Sequence, residues 1–231
     1  MKKLCALLLI LCFPFVCTGC GVGVAENAHQ PSIHWRIDVT GKYLYDDNVR
    51  QIVTVQAGDK TDAIVTLFEK SVENGNPIWT KTLRCPGYIG LNGLGKTKEG
   101  DNKTPIGDFG IITAFGIKKN PGTALPYIEA TPDIYCCSDA ECYNRMINIT
   151  EHPHECEGEH LVDYSPEYNY GIFIDYNAEC EYGKGNSIFF HCTGANTYTG
   201  GCIAISEEDM VTLLHQLDSN ARIVIDYLPG N

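Results

Sequence analysis

Residues 187–205 read SIFFHCTGANTYTGGCIAI. Ser187 to His191 is a short aromatic and β-branched run, the pattern of a buried strand, and it ends on a histidine. A Gly/Thr/Asn loop follows, then Thr199-Gly200-Gly201-Cys202 turns into a second apolar run. Ser206 is an N-cap with Asp209 three residues on, a variant of the capping box, and Met210, Leu213, Leu214 and Leu217 then recur on one helical face. A thiol attacks only as thiolate and needs a base or a cation nearby. A histidine at the end of an adjacent strand supplies the base, and paired glycines let backbone N–H groups approach a carbonyl. The candidates are Cys202 as nucleophile and His191 as base. The competing reading of two such residues is a disulfide cysteine and a surface histidine.

Outward from this segment the chain reads mostly as strand. Gln51–Ala57, Ala63–Phe68, Ile78–Leu83, Gly171–Tyr176 and Arg222–Leu228 are β-branched or alternating, and Asn74-Gly75 is a hairpin signal between the second and third. The fold class expected is mainly β: a sandwich-like body with a helix after Cys202. Residues 33–231 are expected to form a single domain that begins with a β-hairpin region.

Lys2 and Lys3 followed by the apolar run Leu4–Val16 form an export signal, too short for a comfortable membrane span. Cys17-Thr18-Gly19-Cys20-Gly21 resembles a bacterial lipobox, which makes residues 1–20 a lipoprotein-type signal, Cys20 the lipidated residue and a membrane its anchor. Simple cleavage after Ala25 is the alternative. Residues 21–32 are small and polar and read as a tether. The expected location is the bacterial cell envelope. The chain has an ordinary apolar content of 44%, so it can bury a core, and it carries a net charge of −12. Such an acidic chain is a poor match for nucleic acid.

Eight of the twelve cysteines lie in the body, at 85, 136, 137, 142, 156, 180, 192 and 202. In an oxidising compartment these read as a disulfide set. Cys136, Cys137 and Cys142 are placed in a polar exposed loop as staples, as are Cys85, Cys156 and Cys180. If Cys202 stays free an odd number remains, and Cys192 is the one left unpaired. His152, His154, Cys156 and His160 have the types of zinc ligands. Pro153 and the acidic neighbours favour an exposed loop instead, and no metal is assigned. Gly90–Thr97 matches a phosphate loop in form, yet Glu99-Gly100-Asp101 would break the helix such a loop requires.

His191 with Thr199-x-Gly201-Cys202 resembles the signature of the L,D-transpeptidase catalytic domain. Gly90–Phe109 (GLNGLGKTKEGDNKTPIGDF) is similar to a second block of exported members, and Asp139, Tyr143-Asn144 and Tyr170 through Asn177 to further ones. Two positions depart: Gly200 stands where many members carry histidine, and Ala204 where many carry arginine. The resemblance implies a cysteine acyltransferase without cofactor, acting through a thioester on peptidoglycan stem peptides. It places Thr199 and Gly201 at the oxyanion and substrate site. It leaves open an L,D-carboxypeptidase that uses water as acceptor, and a non-catalytic lipoprotein that binds wall peptides.

Overall fold

Asn74 and Gly75 both adopt positive φ, 51° and 81°, the geometry of a type I′ turn. They join β2 (Asp62–Glu73) to β3 (Asn76–Tyr88), the longest antiparallel pair in the computed structural model. The structure describes residues 39–58 and 60–227. The export signal, the tether, Cys20 and the alternative cleavage after Ala25 lie outside these residues.

The other strands assemble around that hairpin. β1 (Gln51–Ala57) pairs antiparallel with β2 and parallel with β13 (Arg222–Tyr227). β4 (Gly107–Phe109) closes that edge against β13. Beyond β3 follow β12 (Ile203–Ile205), β11 (Phe189–Cys192), β10 (Gly171–Ile174), β5 (Ile111–Gly116) and β6 (Tyr127–Glu129), which completes a curled ten-stranded sheet. A separate three-stranded sheet orders β8 (Arg145–Asn148), β7 (Ile134–Cys137) and β9 (Glu159–His160). The fold is mainly β, as the sequence indicates.

Helix α2 (Glu207–Gln216) follows Cys202 closely, and the Ser206 hydroxyl accepts the Asp209 N–H at 3.0 Å. Its Met210, Leu213 and Leu214 are fully buried in the main core, with Val53, Val55, Ile203, Ile205 and Ile223. On the far face of the sheet, Ile52 and Val224 pack with Tyr43 of α1 (Val39–Tyr43) and with Phe68 and Trp79. β1 is therefore covered on both faces, which explains why nearly all of it is buried despite its alternating sequence.

The cysteines depart from the disulfide reading. All eight in the body are free thiols. Cys136 and Cys137 end β7 as buried strand residues and are not in an exposed loop. Cys85 is buried in the main core, where the apolar surroundings push its thiol up to about 12.

Candidate active site

Strand register places the two candidate catalytic residues two rungs apart on neighbouring stretches of chain. His191 on β11 stands opposite Gly171 of β10 and Ala204 of β12, and Phe190 stands opposite Ile203. Cys202, the residue before β12, therefore lies beside Phe189. Its Sγ accepts the Phe189 N–H at 3.3 Å, and its thiol donates to the Ser187 carbonyl at 3.1 Å. The Cys202 carbonyl is gripped by two hydroxyls, Thr199 Oγ1 at 2.7 Å and Thr104 Oγ1 at 3.1 Å. Gly201 has a φ of 145°, and a Cβ there would meet the Lys103 carbonyl at 2.8 Å. No other residue fits that turn without strain.

His191 is buried, and its Nδ1 is 2.7 Å from the Cys192 carbonyl. A carbonyl only accepts, so this contact assigns the proton to Nδ1 and leaves the lone pair on Nε2. Tyr168 packs edge-on against the imidazole at 5.4 Å. His191 and Cys202 line one cavity of about 320 Å³, together with Lys96, Glu159, Tyr168 and Asn186.

Burial dominates the electrostatics. It pushes the Cys202 thiol up to about 12, and the Glu159 carboxylate adds to the rise, while the Phe189 N–H and Lys96 oppose it. Burial lowers the His191 value below that of a free imidazole. The resting pair is thus a neutral thiol and a neutral imidazole. Neither of the two hydrogen bonds of the Cys202 thiol goes to His191, so proton transfer requires the thiol to turn away from Ser187.

The sequence-derived oxyanion donors are partly engaged. The Thr199 N–H binds the Ile89 carbonyl at 3.0 Å, and the Gly201 N–H binds Thr199 Oγ1 at 3.1 Å. The next backbone donor along the chain, the Cys202 N–H, has no hydrogen bond among the described residues. Cys192 faces the main core, with its thiol pushed up to about 12 by burial. It shares the strand of His191 but points away from the cavity.

Three cavity residues carry roles that the sequence did not signal. Glu159 is raised by burial to about 7, with the Tyr168 hydroxyl donating to it against that rise. β9 is only two residues long, too short to show an alternation that would mark Glu159. Lys96, legible only as part of a formal phosphate loop, is paired with Asp101 at 3.0 Å, both side chains buried. Burial works to raise Asp101, but the N–H groups of Thr97, Lys103 and Lys98 and the Lys96 ammonium outweigh it and hold the carboxyl at about 2. Asn186 Nδ2 is buried and has no hydrogen-bond partner among the described residues, so it offers an idle donor at the cavity.

The remaining family-like blocks brace the site. Tyr143 donates to Glu99 at 2.5 Å, and Asn144 binds the carbonyls of Tyr176 and Asn177 while accepting the Ser187 N–H at 3.0 Å. They fix the chain entering β11. The histidines read as zinc ligands do not converge. His160 is held by Asp163 and the Pro132 carbonyl, whereas His154 and Cys156 sit beside Cys137 and Asp139.

Residues 58–225 match the L,D-transpeptidase catalytic domain, YkuD. Among solved structures the chain is similar to the helical cell shape determining protein Pgp2 from Campylobacter jejuni, with a TM-score of 0.41 and 16% identity. That match covers 80% of this chain and 53% of that one, so the chain spans about half the length of that protein. No curated protein matches. With the catalytic domain extending over residues 58–225, the chain belongs to the L,D-transpeptidase catalytic domain family.

Proposed function

We propose that the protein is a peptidoglycan L,D-transpeptidase of the bacterial cell envelope, with Cys202 as nucleophile and His191 as general base. The observation that carries this reading is the shared cavity, in which the Nδ1–H tautomer leaves the buried His191 with a basic Nε2 on the same cavity wall as the Cys202 thiol. A stem peptide whose scissile carbonyl displaces the Ser187 contact lets the thiol turn. Nε2 then takes the thiol proton as Sγ bonds to the carbonyl carbon. The Cys202 N–H, held in place by the Thr199 and Thr104 grips on the same residue, donates to the developing oxyanion. Collapse breaks the C–N bond, and the imidazolium returns its proton to the leaving amine. The amine of a second stem then attacks the thioester, losing its proton through His191, and the thiol is released. Asn186 Nδ2 supplies a donor to the peptide backbone of the stem.

The test is incubation with disaccharide tetrapeptides and mass analysis of the products. Cross-linked dimers that vanish in Cys202→Ala support the transferase. Trimmed tripeptides alone would make it an L,D-carboxypeptidase. Binding without turnover in the fully reduced protein would leave a wall-peptide-binding lipoprotein. The reading includes lipidation at Cys20 and membrane anchoring, which predict palmitate labelling that Cys20→Ala abolishes.

A further inference from the structure

A second cluster of reactive side chains lies on the three-stranded sheet, outside the catalytic cavity. Cys137, the last residue of β7, has its Sγ 2.7 Å from Asp139 Oδ2 and 3.6 Å from His154 Nε2. His154 Nε2 is 2.6 Å from the same carboxylate oxygen. Cys156 completes the group: the ligand atoms of Cys137, Asp139 and Cys156 all lie within 4.8 Å of one another. Two thiols, an imidazole and a carboxylate, drawn from β7, from the turn after it and from the loop between β8 and β9, are therefore neighbours: Cys137 and Asp139 touch the His154 ring on one side and stand within reach of Cys156 on the other.

We propose that Cys137, Asp139, His154 and Cys156 form a structural zinc site. Two thiolates and an imidazole select a borderline-soft ion, and four protein ligands complete a tetrahedron with no open position. Calcium and magnesium require oxygen donors, and iron–sulfur clusters are held chiefly by thiolates. Bonds of about 2.0–2.3 Å give tetrahedral edges of about 3.3–3.8 Å, and the Cys137–His154 separation already falls there. The two contacts to Asp139 are shorter because protons bridge them. Metal binding replaces those bridges: both thiols lose a proton, and the imidazole proton moves to Nδ1, which faces Glu141 at 3.7 Å.

The surrounding backbone fits a thiolate ligand. The Gly158 N–H donates to Cys156 Sγ at 3.3 Å. A Cβ on Gly158 would meet the Cys136 carbonyl at 1.8 Å, so only glycine lets the returning chain press this close to β7. The segment between β8 and β9 has no regular structure over residues 149–158. A metal there would clamp it to β7. The clamp would lie next to the apolar cluster behind the catalytic cavity and three residues from its carboxylate. Cys136 faces the same apolar cluster as Cys202 and Tyr168, and Glu159 follows Gly158 directly.

The alternative fate of the two thiols is a Cys137–Cys156 disulfide, and one set of measurements separates the outcomes. The full chain is purified without chelator, and metal content is read by elemental analysis and native mass spectrometry. About one zinc per chain is expected, with Cys137 and Cys156 protected from alkylation until a chelator is added. Cys156→Ser and His154→Ala should each lower retained zinc at least about tenfold, whereas His152→Ala should keep it. Should either variant fold poorly, cobalt titration of the chelator-stripped wild type gives an independent reading. Tetrahedral d–d bands and thiolate-to-cobalt charge transfer, both displaced by zinc, are expected. A mapped Cys137–Cys156 disulfide, freely alkylated thiols in a metal-free chain that gives no cobalt spectrum, or full zinc retention in a folded Cys156→Ser protein would each overturn the site.

Discussion

Thr104 and Cys202, 98 residues apart, meet through a hydrogen bond in which the Thr104 hydroxyl donates to the Cys202 carbonyl at 3.1 Å. The same hydroxyl accepts the Gly90 N–H at 2.8 Å. One buried side chain thus ties the glycine-rich block before β4 to the backbone of the nucleophile. Thr104→Val keeps the shape and removes both bonds. It should cost about 1–3 kcal/mol in chemical denaturation, since a buried N–H is left without a partner. Turnover should fall with the Cys202 thiol still present, and an unchanged kcat would show that the tie is not needed for catalysis.

Leu214 is fully buried on the face of α2 that packs behind the strand of His191. Leu214→Ala should lower unfolding free energy by about 2–5 kcal/mol, the range for emptying a packed aliphatic site. A loss under about half a kilocalorie in urea melts would mean that the face is not packed.

Cys202→Ala should abolish turnover and leave the melting temperature close to wild type. His191→Ala should reduce turnover by about 10²–10⁴-fold, the usual contribution of a general base, and should slow alkylation of Cys202. A carbapenem, an acylating agent implied by family membership, should add mass to the peptide containing Gly201-Cys202-Ile203. Cys192→Ser should preserve that adduct, because Cys192 is buried away from the cavity. An adduct mapped to Cys192 would reassign the nucleophile.

Glu159 gives the site a pH dependence with a definite sign. Its value rises on folding from the ordinary carboxylate range to about 7. Its stabilising contribution is therefore complete below about pH 4.3 and is lost as pH climbs through about 7. Glu159→Gln, whose amide oxygen still accepts from the Tyr168 hydroxyl, should remove that loss and make the protein about 1–3 kcal/mol more stable at pH 8 relative to wild type. With the neighbouring negative charge gone, Cys202 should also alkylate faster above pH 7. Equal alkylation rates would show that Glu159 does not act on the thiol.

His191 is lowered by burial, so it remains unprotonated to a lower pH than a free imidazole. The acid limb of kcat/KM should have its midpoint below about 6.5. A midpoint at or above that value would remove His191 from the role of base.

The sequence around the site carried much of this arrangement because the signals there are local. A strand run through His191, a glycine pair before Cys202 and the Ser206 cap each act within a few residues; the cap forms as expected, and the strand forms over Phe189–Cys192, starting two residues later than expected and running one past His191. Glu159, Lys96 and Asn186 were hidden because their neighbours in the cavity come from distant segments. The cysteines misled for a related reason. An even set in an exported chain suggests disulfides, but pairing depends on distances that spacing does not encode. Cys136 and Cys137 looked like loop residues beside a polar stretch, whereas a strand of four residues buries both on opposite faces.

The parallel pairing of β1 with β13 joins Ile52 to Arg222 and Ala57 to Tyr227, with β13 wedged between β4 and β1. A strand made early in synthesis must therefore wait for one made some 170 residues later. Until β13 emerges, β1 offers an open edge bearing Val53 and Val55, and the helix face of Leu213 and Leu214 lacks Ile223 and Ile225 to close on. Such distant partners make closure slow and leave the nascent chain adhesive in the meantime. A ribosome stalled before residue 222 should hold an uncollapsed polypeptide that proteases cut readily, and release of the last strand should convert it in one cooperative step.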